Sequence, residues 1–393
     1  MTTARTMSSL QRFGAAHEFA LRCIAVYLVV RVVGIVILTA FAAYHAMPMV
    51  DVLSMWDGEW MLGIAQYGYG GVPLNFTDAN GIHTEFTAYA FFPGYPMTVR
   101  TLALIPGVST FGGAMLVAVV AGPLAAVAVG HVGRLCAQRV RESVRPASTS
   151  TAGLVLVGLF AATPMSVVLN MAYTEGLFCA AAAWALVGIL ERQWLLAGFC
   201  AFGAGLVRPT GAAVIGAVML AAFLARRDGP RAWAAVVIAP LGYLGYLALV
   251  GARTGSIDGW FQIQTSGWNT RIDGGAATWR FLSESLGRSS EFSAIATALI
   301  IVAVLLLAAW SVADRVPWPV LLYGGGVLAS ILLSDGLMMS RARLLLPAFV
   351  LLLPVALRIA RRPRGEILAF LAVAAAFSGW FGAYMLTVFE YAI

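Results

Sequence analysis

The sequence predicts an all-α polytopic membrane protein with about eleven transmembrane helices and a long first exterior loop that carries short interfacial helices. Three observations predict this class. The chain of 393 residues is 61% hydrophobic and 11% charged, with a mean hydropathy of +0.86, and one soluble core cannot bury that much apolar surface. Apolar runs close to the ~20 residues of a spanning helix recur along the chain. The charged residues also segregate between alternate loops.

The apolar runs predict nine single spans and one broken pair. The pair covers residues 194–225, where "LVRPTG" interrupts an apolar stretch at Arg208 and Pro209. The first run is too long for a signal peptide and has no small-residue cleavage site, so it predicts a retained helix. The single spans are expected at 23–46, 111–133, 152–170, 173–190, 232–250, 293–312, 317–333, 344–360 and 367–389.

The charge distribution predicts the orientation of these spans. All 25 basic residues are arginine. With a cytoplasmic N-terminus, the inside segments, among them those with Arg5 and Arg12, hold sixteen arginines and six acids, whereas the outside segments hold eight arginines and twelve acids. The net charge of +7 is therefore a membrane pattern and not a nucleic-acid surface. We expect one integral membrane domain over 1–393, with long exterior loops at 47–109 and 251–292.

The first exterior loop contains "MWDGEWMLGIAQYGYGG", Met55 to Gly71, with two acids among aromatic residues. Its apolar residues recur at helical spacing, which predicts a short helix with an interfacial face made of Trp56, Trp60, Ile64 and Tyr67. Gly68 is expected to end this helix. Asp57 has two interpretations: a helix cap or a carboxylate general base beside the membrane. For Glu59 the same two kinds of role, a solvated loop acid and a carboxylate base, stay open, because spacing alone does not decide between them. The later stretch "TAYAFFPGYPMTVRTLALIP" is aromatic and interrupted by prolines, and predicts an interfacial segment and not a span.

Other polar residues lie between apolar runs on the predicted exterior side. Glu175 follows "NMAYT", where a turn acid and an acid paired with a cation are both possible. Arg208 and Thr210 lie at the predicted helix break. Arg341 and Arg343 lie in "SDGLMMSRARLLLPAF", where the positive-inside rule disfavours cations. Such arginines suit either a substrate phosphate or a lipid headgroup.

Histidine and cysteine give little support to metal chemistry. His83 lies in the first exterior loop near Glu85 and could assist there, but a polar loop residue without a role is the simpler reading. The four cysteines show no metal-ligand spacing and are expected to pack in the interior. No glycine-rich nucleotide motif stands in a strand-helix context. We therefore expect no cofactor, although one acid with bound water could hold a divalent cation.

Five motifs in order carry a resemblance to a known family. They are "WDGEWMLGIAQYGYGG", "YAFFPGYPMTVR", "NMAYTEGLF", "LVRPTG" and "RLLLPAF", and they extend from about Ser54 to Phe349. Together they resemble the successive signatures of PIG-V-like mannosyltransferases, the family of the second mannosyltransferase of glycosylphosphatidylinositol synthesis and its bacterial relatives. The resemblance implies a C-type glycosyltransferase fold that uses a polyprenyl-phosphate sugar on the exterior side.

The resemblance also implies roles for individual residues. Asp57 matches the catalytic acid of the first exterior loop, and Trp56 precedes it. Glu175, Arg208 and Arg343 match polar positions of the later motifs. Gly58 and Glu59 depart from the family pattern, so the resemblance gives Glu59 no catalytic role. A donor phosphate would be bound by Arg208, Arg341 and Arg343, with Trp56, Glu59, His83, Glu175 and Thr210 as supporting residues.

The implied function is transfer of mannose, with inversion, from a polyprenyl phosphate to a hydroxyl of a lipid-linked or cell-envelope glycan. The partners would be that donor, that acceptor and membrane lipids, with no nucleic acid, and the enzyme would be a multi-pass protein of the cell membrane. Two alternatives stay open. A transporter or flippase of a lipid-linked sugar would suit Arg31 and the helix break at Pro209. A non-catalytic subunit of a glycolipid assembly complex would also contain such motifs.

Overall fold

The computed structural model describes residues 9–392, and of residues 9–13, 15 and 16 only the backbone. The predicted cytoplasmic Arg5 and the side chain of Arg12 therefore lie outside the described residues. Within this range the chain is helical and has no β-strand, and Ile272 and Ser334 form a single antiparallel bridge. The α-helices are α1 (Ser9–Tyr44), α2 (Met49–Ser54), α3 (Asp57–Tyr67), α4 (Gly94–Leu102), α5 (Thr110–Ala137), α6 (Thr149–Ala161), α7 (Glu175–Leu190), α8 (Trp194–Val207), α9 (Gly211–Leu224), α10 (Pro230–Thr254), α11 (Gly259–Trp268), α12 (Ala276–Gly287), α13 (Phe292–Ala313), α14 (Trp318–Leu332), α15 (Arg341–Leu344), α16 (Leu353–Ile359) and α17 (Arg364–Thr387). Short 3-10 helices cover Thr87–Ala90, Glu142–Val144, Ser166–Asn170, Arg226–Asp228 and Leu346–Leu352.

Five of these helices are long and apolar enough to cross a membrane: α1 from His17, α5, α10, α13 and α17. The chain is thus a multi-pass membrane protein. The other six predicted spans also coincide with apolar helices, but these have only 10–17 residues, fewer than the ~20 that a spanning helix needs. The predicted count of eleven spans is therefore not confirmed. The runs at 152–170 and 344–360 are each divided, because Pro164 and Pro347 interrupt regular helix there.

Small residues bring the helices of the core together. Gly153 of α6 lies so close to α5 that an added Cβ would be 2.5 Å from the carbonyl oxygen of Gly130. A Cβ at Gly133 would similarly lie 2.9 Å from the Cα of Gly153. Such contacts give membrane helices their packing energy, since lipid supplies no hydrophobic drive between them. The four cysteines are free, and Cys23, Cys136 and Cys179 are buried, as expected for packing residues.

A buried arginine in α1 joins that helix to the end of α6. The guanidinium of Arg31 donates hydrogen bonds to the carbonyl oxygens of Ala161 and Ser166, and Nη2 lies 2.7 Å from Ser166 Oγ. Ser166 Oγ in turn lies 2.9 Å from Ser378 Oγ of α17. Helix ends leave carbonyl groups without partners, and a cation satisfies them well. The Nη1 and Nη2 donors of Arg31 therefore serve the packing of these helices.

The segment between α1 and α5 has the short helices that the sequence predicts. Helix α3 ends at Gly68, which has φ +76° and donates its N–H to Ile64 O over 2.8 Å. Asp57 does not cap α3: it is the first helical residue, and the preceding Trp56 makes no side-chain cap. The motif "AFFPGYP" forms a turn and the nine-residue helix α4, in agreement with the prediction that it is not a span.

The aromatic face of α3 is only partly an outer face. Trp60 and Ile64 are buried, and the Trp60 ring lies 5.2 Å from Phe91 and 5.7 Å from Trp268, centroid to centroid. Tyr67 alone among the predicted face residues is exposed. The prediction of an interfacial face is therefore wrong for Trp60 and Ile64, because they belong to a buried cluster against which Phe76, Phe91 and Trp268 pack. Helix spacing specifies which residues share a face but not what packs on it.

Candidate functional site

A cavity of about 270 Å³ forms where helix ends and helix breaks from distant parts of the chain meet. Asp57 at the start of α3, Thr174 just before α7 and the break at Arg208–Thr210 supply polar groups. The other walls come from the turn before α4, from α11, from the connection between α14 and α15, and from α15 itself. They include Phe91, Phe92, Gln264, Trp268, Ser334, Asp335, Ser340, Arg341 and Arg343.

An ion pair across this cavity joins the first and last motifs. Arg343 Nη1 donates to Asp57 Oδ2 over 2.6 Å. The Asp57 side chain is 39% exposed, whereas that of Arg343 is 6% exposed. Oδ1 of Asp57 accepts no hydrogen bond from the described residues, so one carboxylate oxygen remains free. Burial acts to lower the pKa of Arg343, but Asp57, Tyr173 and Glu175 together raise it above its ordinary value, so the guanidinium stays charged.

Behind this pair lies a fully buried carboxylate. Glu175 begins α7, and its side chain is 0% exposed. Its Oε1 lies 2.5 Å from Arg208 Nη1 and 3.8 Å from Arg343 Nη1, and Arg208 also donates to Thr174 Oγ1 over 2.8 Å. The N-terminus of α7 adds partial positive charge at this carboxylate. Glu175 thus holds two arginines at the back of the cavity and is not a free turn acid.

Tyr173 supports both members of the Asp57–Arg343 pair. Its ring lies under the guanidinium, with the Arg343 Cζ 5.0 Å from the ring centroid, and its hydroxyl donates to Met55 O over 3.0 Å. The ring also lies against Gly58, where an added Cβ would be 3.3 Å from it. A cation over an aromatic face and a hydrogen bond to the neighbouring turn both orient the pair.

The turn before Asp57 holds a strained residue. Trp56 has φ +58° and ψ −118°, outside the regions that a large side chain prefers. The N–H groups of Gly58 and Glu59 donate to the carbonyls of Met55 and Trp56 over 3.1 Å each, which closes the turn. Strain of this kind persists where surrounding contacts over-determine a conformation, often at functional sites.

Arg341 differs from the other two arginines. Its Nη1 donates to Ile331 O and, over 3.2 Å, to Thr278 Oγ1, and its Nη2 donates to Ser334 O. These acceptors close the end of α14. No carboxylate of the described residues lies within salt-bridge distance of Arg341, so its positive charge adds to the cavity while its donors are occupied.

Several buried polar atoms on the cavity wall have no partner. Nine buried side-chain nitrogen or oxygen atoms of the described residues make no hydrogen bond, and four of them belong to residues of this wall. A buried polar group without a partner costs about 1–3 kcal/mol, so a concentration of them in one cavity indicates a ligand site. The four are Thr210 Oγ1, Trp268 Nε1, Ser340 Oγ and Arg343 Nε.

Aromatic side chains form another part of the cavity wall. The Phe91 and Trp268 rings meet edge to face at 5.2 Å, and Phe92 is buried beside them. Gln264 Nε2 donates to Ala90 O over 3.0 Å and fixes α11 against this wall. A cavity with an apolar wall and a few convergent charged groups suits a ligand that has an anionic part and a less polar part.

The fold has a counterpart among solved structures. The crystal structure of ArnT from Cupriavidus metallidurans bound to undecaprenyl phosphate is similar to this chain, with a TM-score of 0.52 and 16% sequence identity. The similarity covers 88% of this chain and 62% of ArnT, so the chain matches less than two thirds of that protein's length. This chain has the ArnT fold. No protein-family model and no curated protein matches the sequence.

Within this ArnT-like fold, the sequence-predicted residues divide into two groups. Asp57, Arg208, Thr210, Arg341 and Arg343 line the cavity, and Glu175 lies directly behind it. Trp56 adjoins the cavity through its strained turn.

Two other predicted residues lie elsewhere in the ArnT-like fold. Glu59 is exposed and does not line the cavity. His83 also lies outside its wall, with Nδ1 2.6 Å from Phe76 O. The structure therefore gives these two residues no contact with the candidate site.

Several residues of the site were not singled out from the sequence. Tyr173 and Thr174 lie within "NMAYTEGLF", where only Glu175 has a charge that marks it as a candidate. Trp268 and Gln264 lie in the second long loop, whose aromatic residues amid polar ones were the available signal. Among residues 9–392, no three His, Cys, Asp or Glu side chains form a group that could hold a metal ion. The absence of a cofactor stays a prediction.

Proposed function

We propose that this protein is a glycosyltransferase of the cell membrane that transfers mannose, with inversion, from a polyprenyl phosphate to a hydroxyl of a lipid-linked or cell-envelope glycan. Asp57 is the general base, and the reaction takes place on the exterior face. The ArnT fold supports a polyprenyl-phosphate-dependent glycosyltransferase in general. The sugar and the acceptor class come from the family resemblance of the five motifs.

The single observation that carries the proposal is the arrangement of Asp57 and two buried arginines around one cavity. Glycosyl transfer from a lipid phosphate needs a base at the attacking hydroxyl and cations at the leaving phosphate. Asp57 has one oxygen on Arg343 and one free, while Arg208 and Arg343 lie on the buried side.

The proposed step balances as a single displacement. The acceptor oxygen forms a bond to the anomeric carbon as the bond from that carbon to the phosphate oxygen breaks. The acceptor proton passes to the free Oδ1 of Asp57, and the bonding pair leaves on polyprenyl phosphate. A positioned base contributes about 10²- to 10⁴-fold to such a rate.

The charges of the wall suit a phosphodiester donor. Asp57 and Glu175 compensate Arg208 and Arg343, and Arg271 compensates Asp335 of the wall, which leaves the positive charge of Arg341. One such charge matches the single negative charge of a sugar-phosphate-lipid diester. As the leaving group gains charge, Arg208 and Arg343 stabilise it through charge-assisted hydrogen bonds, which are stronger than neutral ones. Arg341, whose donors lie on carbonyl groups, contributes through its field.

An apolar cavity on the other side of α15 is suited to the prenyl chain. It has a volume of about 210 Å³ and lies between α13 and the 3-10 helix Leu346–Leu352. Ala342 and Leu345 line it, while the neighbouring Arg341, Arg343 and Leu344 line the polar cavity. A lipid phosphate at the arginines would thus have an apolar surface next to it for its tail.

The test uses purified protein with labelled polyprenyl-phosphate mannose and a glycolipid acceptor extract. We expect the wild type to release polyprenyl phosphate and label the acceptor, and Asp57→Asn to lose transfer by about 10²-fold or more while remaining folded. Glu59→Gln is the matched control, because this nearby acid is exposed and outside the cavity. Transfer by Asp57→Asn at the wild-type rate would exclude the base assignment. Movement of labelled donor across vesicles without any transfer would instead indicate the flippase alternative.

A further inference from the structure

A second, larger cavity lies between α1, α6 and α17, away from the candidate active site. Its volume is about 700 Å³, compared with about 270 Å³ for the site cavity. It forms a groove at the N-terminal ends of α6 and α17 and beside the first half of α1. No residue of this groove takes part in the proposed reaction.

The groove is apolar below and cationic at its rim. Its floor consists of aliphatic side chains from all three helices, among them Val26, Leu154 and Leu371. Three arginines line the rim: Arg22, Arg362 and Arg364. This is the pattern of an amphiphile site, in which hydrocarbon covers the floor and an anionic group meets the arginines.

The ion pairs of these arginines neutralise the positive charge of the groove only in part. Arg22 pairs with Glu18 at 2.5 Å and Arg362 with Glu366 at 3.9 Å, and in both pairs the side chains are mostly exposed. Exposed pairs of this kind contribute little and exchange readily. Within the described residues Arg364 has no ion pair. The N-termini of α6 and α17 add partial positive charge on the same side.

We propose that this groove binds an anionic glycerophospholipid of the cytoplasmic leaflet, with its phosphate at Arg22, Arg362 and Arg364 and an acyl chain on the floor. The charge distribution predicts the cytoplasmic side for this end of the protein, where anionic lipids attract basic residues. The segment before α1, residues 1–8, does not complement the three arginines, since its sequence has Arg5 and no acid.

The test is a binding titration of delipidated full-length protein in detergent, followed by native mass spectrometry. The probes are dioleoyl phosphatidylglycerol and dioleoyl phosphatidylcholine, which share acyl chains and differ in charge. We expect the anionic lipid to bind at least about tenfold tighter, since each arginine near an anionic headgroup contributes on the order of fivefold. The variant R22Q/R362Q/R364Q should lose this preference.

The matched control is R226Q/R227Q/R231Q, which removes the same charge from exposed arginines outside the groove. It should keep the preference. Ala25→Trp fills the groove from an exposed position of α1 and keeps all three arginines, so it should reduce binding of both lipids even if the triple variant fails to fold. Equal binding of the two lipids, an equal loss in the control, or unchanged binding by Ala25→Trp would overturn the proposal. Tenfold tighter binding after deletion of residues 2–8 would overturn it too, because the segment would then be the occupant.

Discussion

The Asp57 carboxylate accepts a hydrogen bond from Arg343 over 2.6 Å although 286 residues separate the two in the chain. Arg208, Asp335 and Arg341 also line the cavity that this pair closes, and Glu175 lies directly behind it. Because Asp57 is partly exposed and Arg343 is buried, the acid can reach a substrate while the cation stays within the protein.

Replacing Arg343 with Gln should chiefly weaken use of the donor. A hydrogen bond to a charged group contributes about 1.5–3 kcal/mol, which corresponds to roughly a 10- to 100-fold increase in donor KM. Donor kinetics with purified protein measure this. Arg271→Gln is the control, because Arg271 also pairs with an aspartate, Asp335 at 2.9 Å, but is 72% exposed. Unchanged donor KM for Arg343→Gln would count against a phosphate at this arginine.

Replacing Glu175 with Gln should destabilise the protein. The change leaves Arg208 and Arg343 without their shared buried carboxylate, and breaking a buried pair costs about 3–5 kcal/mol. Thermal unfolding in detergent reports the loss. The double variant Glu175→Gln/Arg208→Gln should lose less than the sum of the two single variants, because it removes one of the uncompensated cations. Strict additivity would mean that the two side chains do not interact.

Variants of Tyr173 should distinguish the contribution of its hydroxyl from that of its ring. Tyr173→Phe keeps the ring under Arg343 and loses the hydrogen bond to Met55 O, which should cost about 0.5–1.5 kcal/mol of stability. Tyr173→Ala also loses the cation–π contact, and its kcat per folded molecule should be much lower than that of Tyr173→Phe. If both variants had the same kcat per folded molecule, the ring would have no part in orienting the Asp57–Arg343 pair.

Replacing Trp268 with Phe should affect substrate binding and leave stability nearly unchanged. Its buried Nε1 has no partner among the described residues, so a ligand that accepts this hydrogen bond would lose about 1 kcal/mol, roughly a fivefold increase in KM. Trp260→Phe is the matched control: Trp260 Nε1 already donates to Ala90 O over 3.3 Å. The control Trp260→Phe should lower the melting temperature and leave KM unchanged. An increase in KM for Trp260→Phe with none for Trp268→Phe would contradict the prediction.

Replacing Arg31 with Leu tests whether this intramembrane arginine supports packing or transport. The carbonyl oxygen of Ser166 would lose the Arg31 donor, at about 1–3 kcal/mol for a buried group, while that of Ala161 keeps the hydrogen bond from the Ser166 hydroxyl. Thermal unfolding should show this loss, while transfer per folded molecule should stay close to that of the wild type. Unaltered stability with abolished activity would favour a pathway role for Arg31.

Much of the arrangement could be predicted from single motifs. The charge of Asp57, Glu175, Arg208 and Arg343 marked each of them as costly at the membrane, and all four meet at the cavity. Tyr173 and Trp268 carried no comparable signal, because aromatic residues are common in membrane chains. His83 and Glu59 are supporting candidates with a weaker signal in the sequence, and they lie outside the cavity. Only the folded arrangement of the segment between α1 and α5 places these two residues away from the cavity.

The sequence by itself determined that this is a helical multi-pass membrane protein, because its apolar runs must lie in lipid and their backbone groups must bond within each helix. It also determined which charged residues lie between apolar runs, where the free-energy cost of placing a charge near lipid indicates a structural or functional role. Only the tertiary structure decided that six apolar runs form short helices, that Glu175 holds two arginines together, and that the donors of Arg341 belong to carbonyl groups. Those features arise from contacts between segments far apart in the chain, and local periodicity carries no information about them.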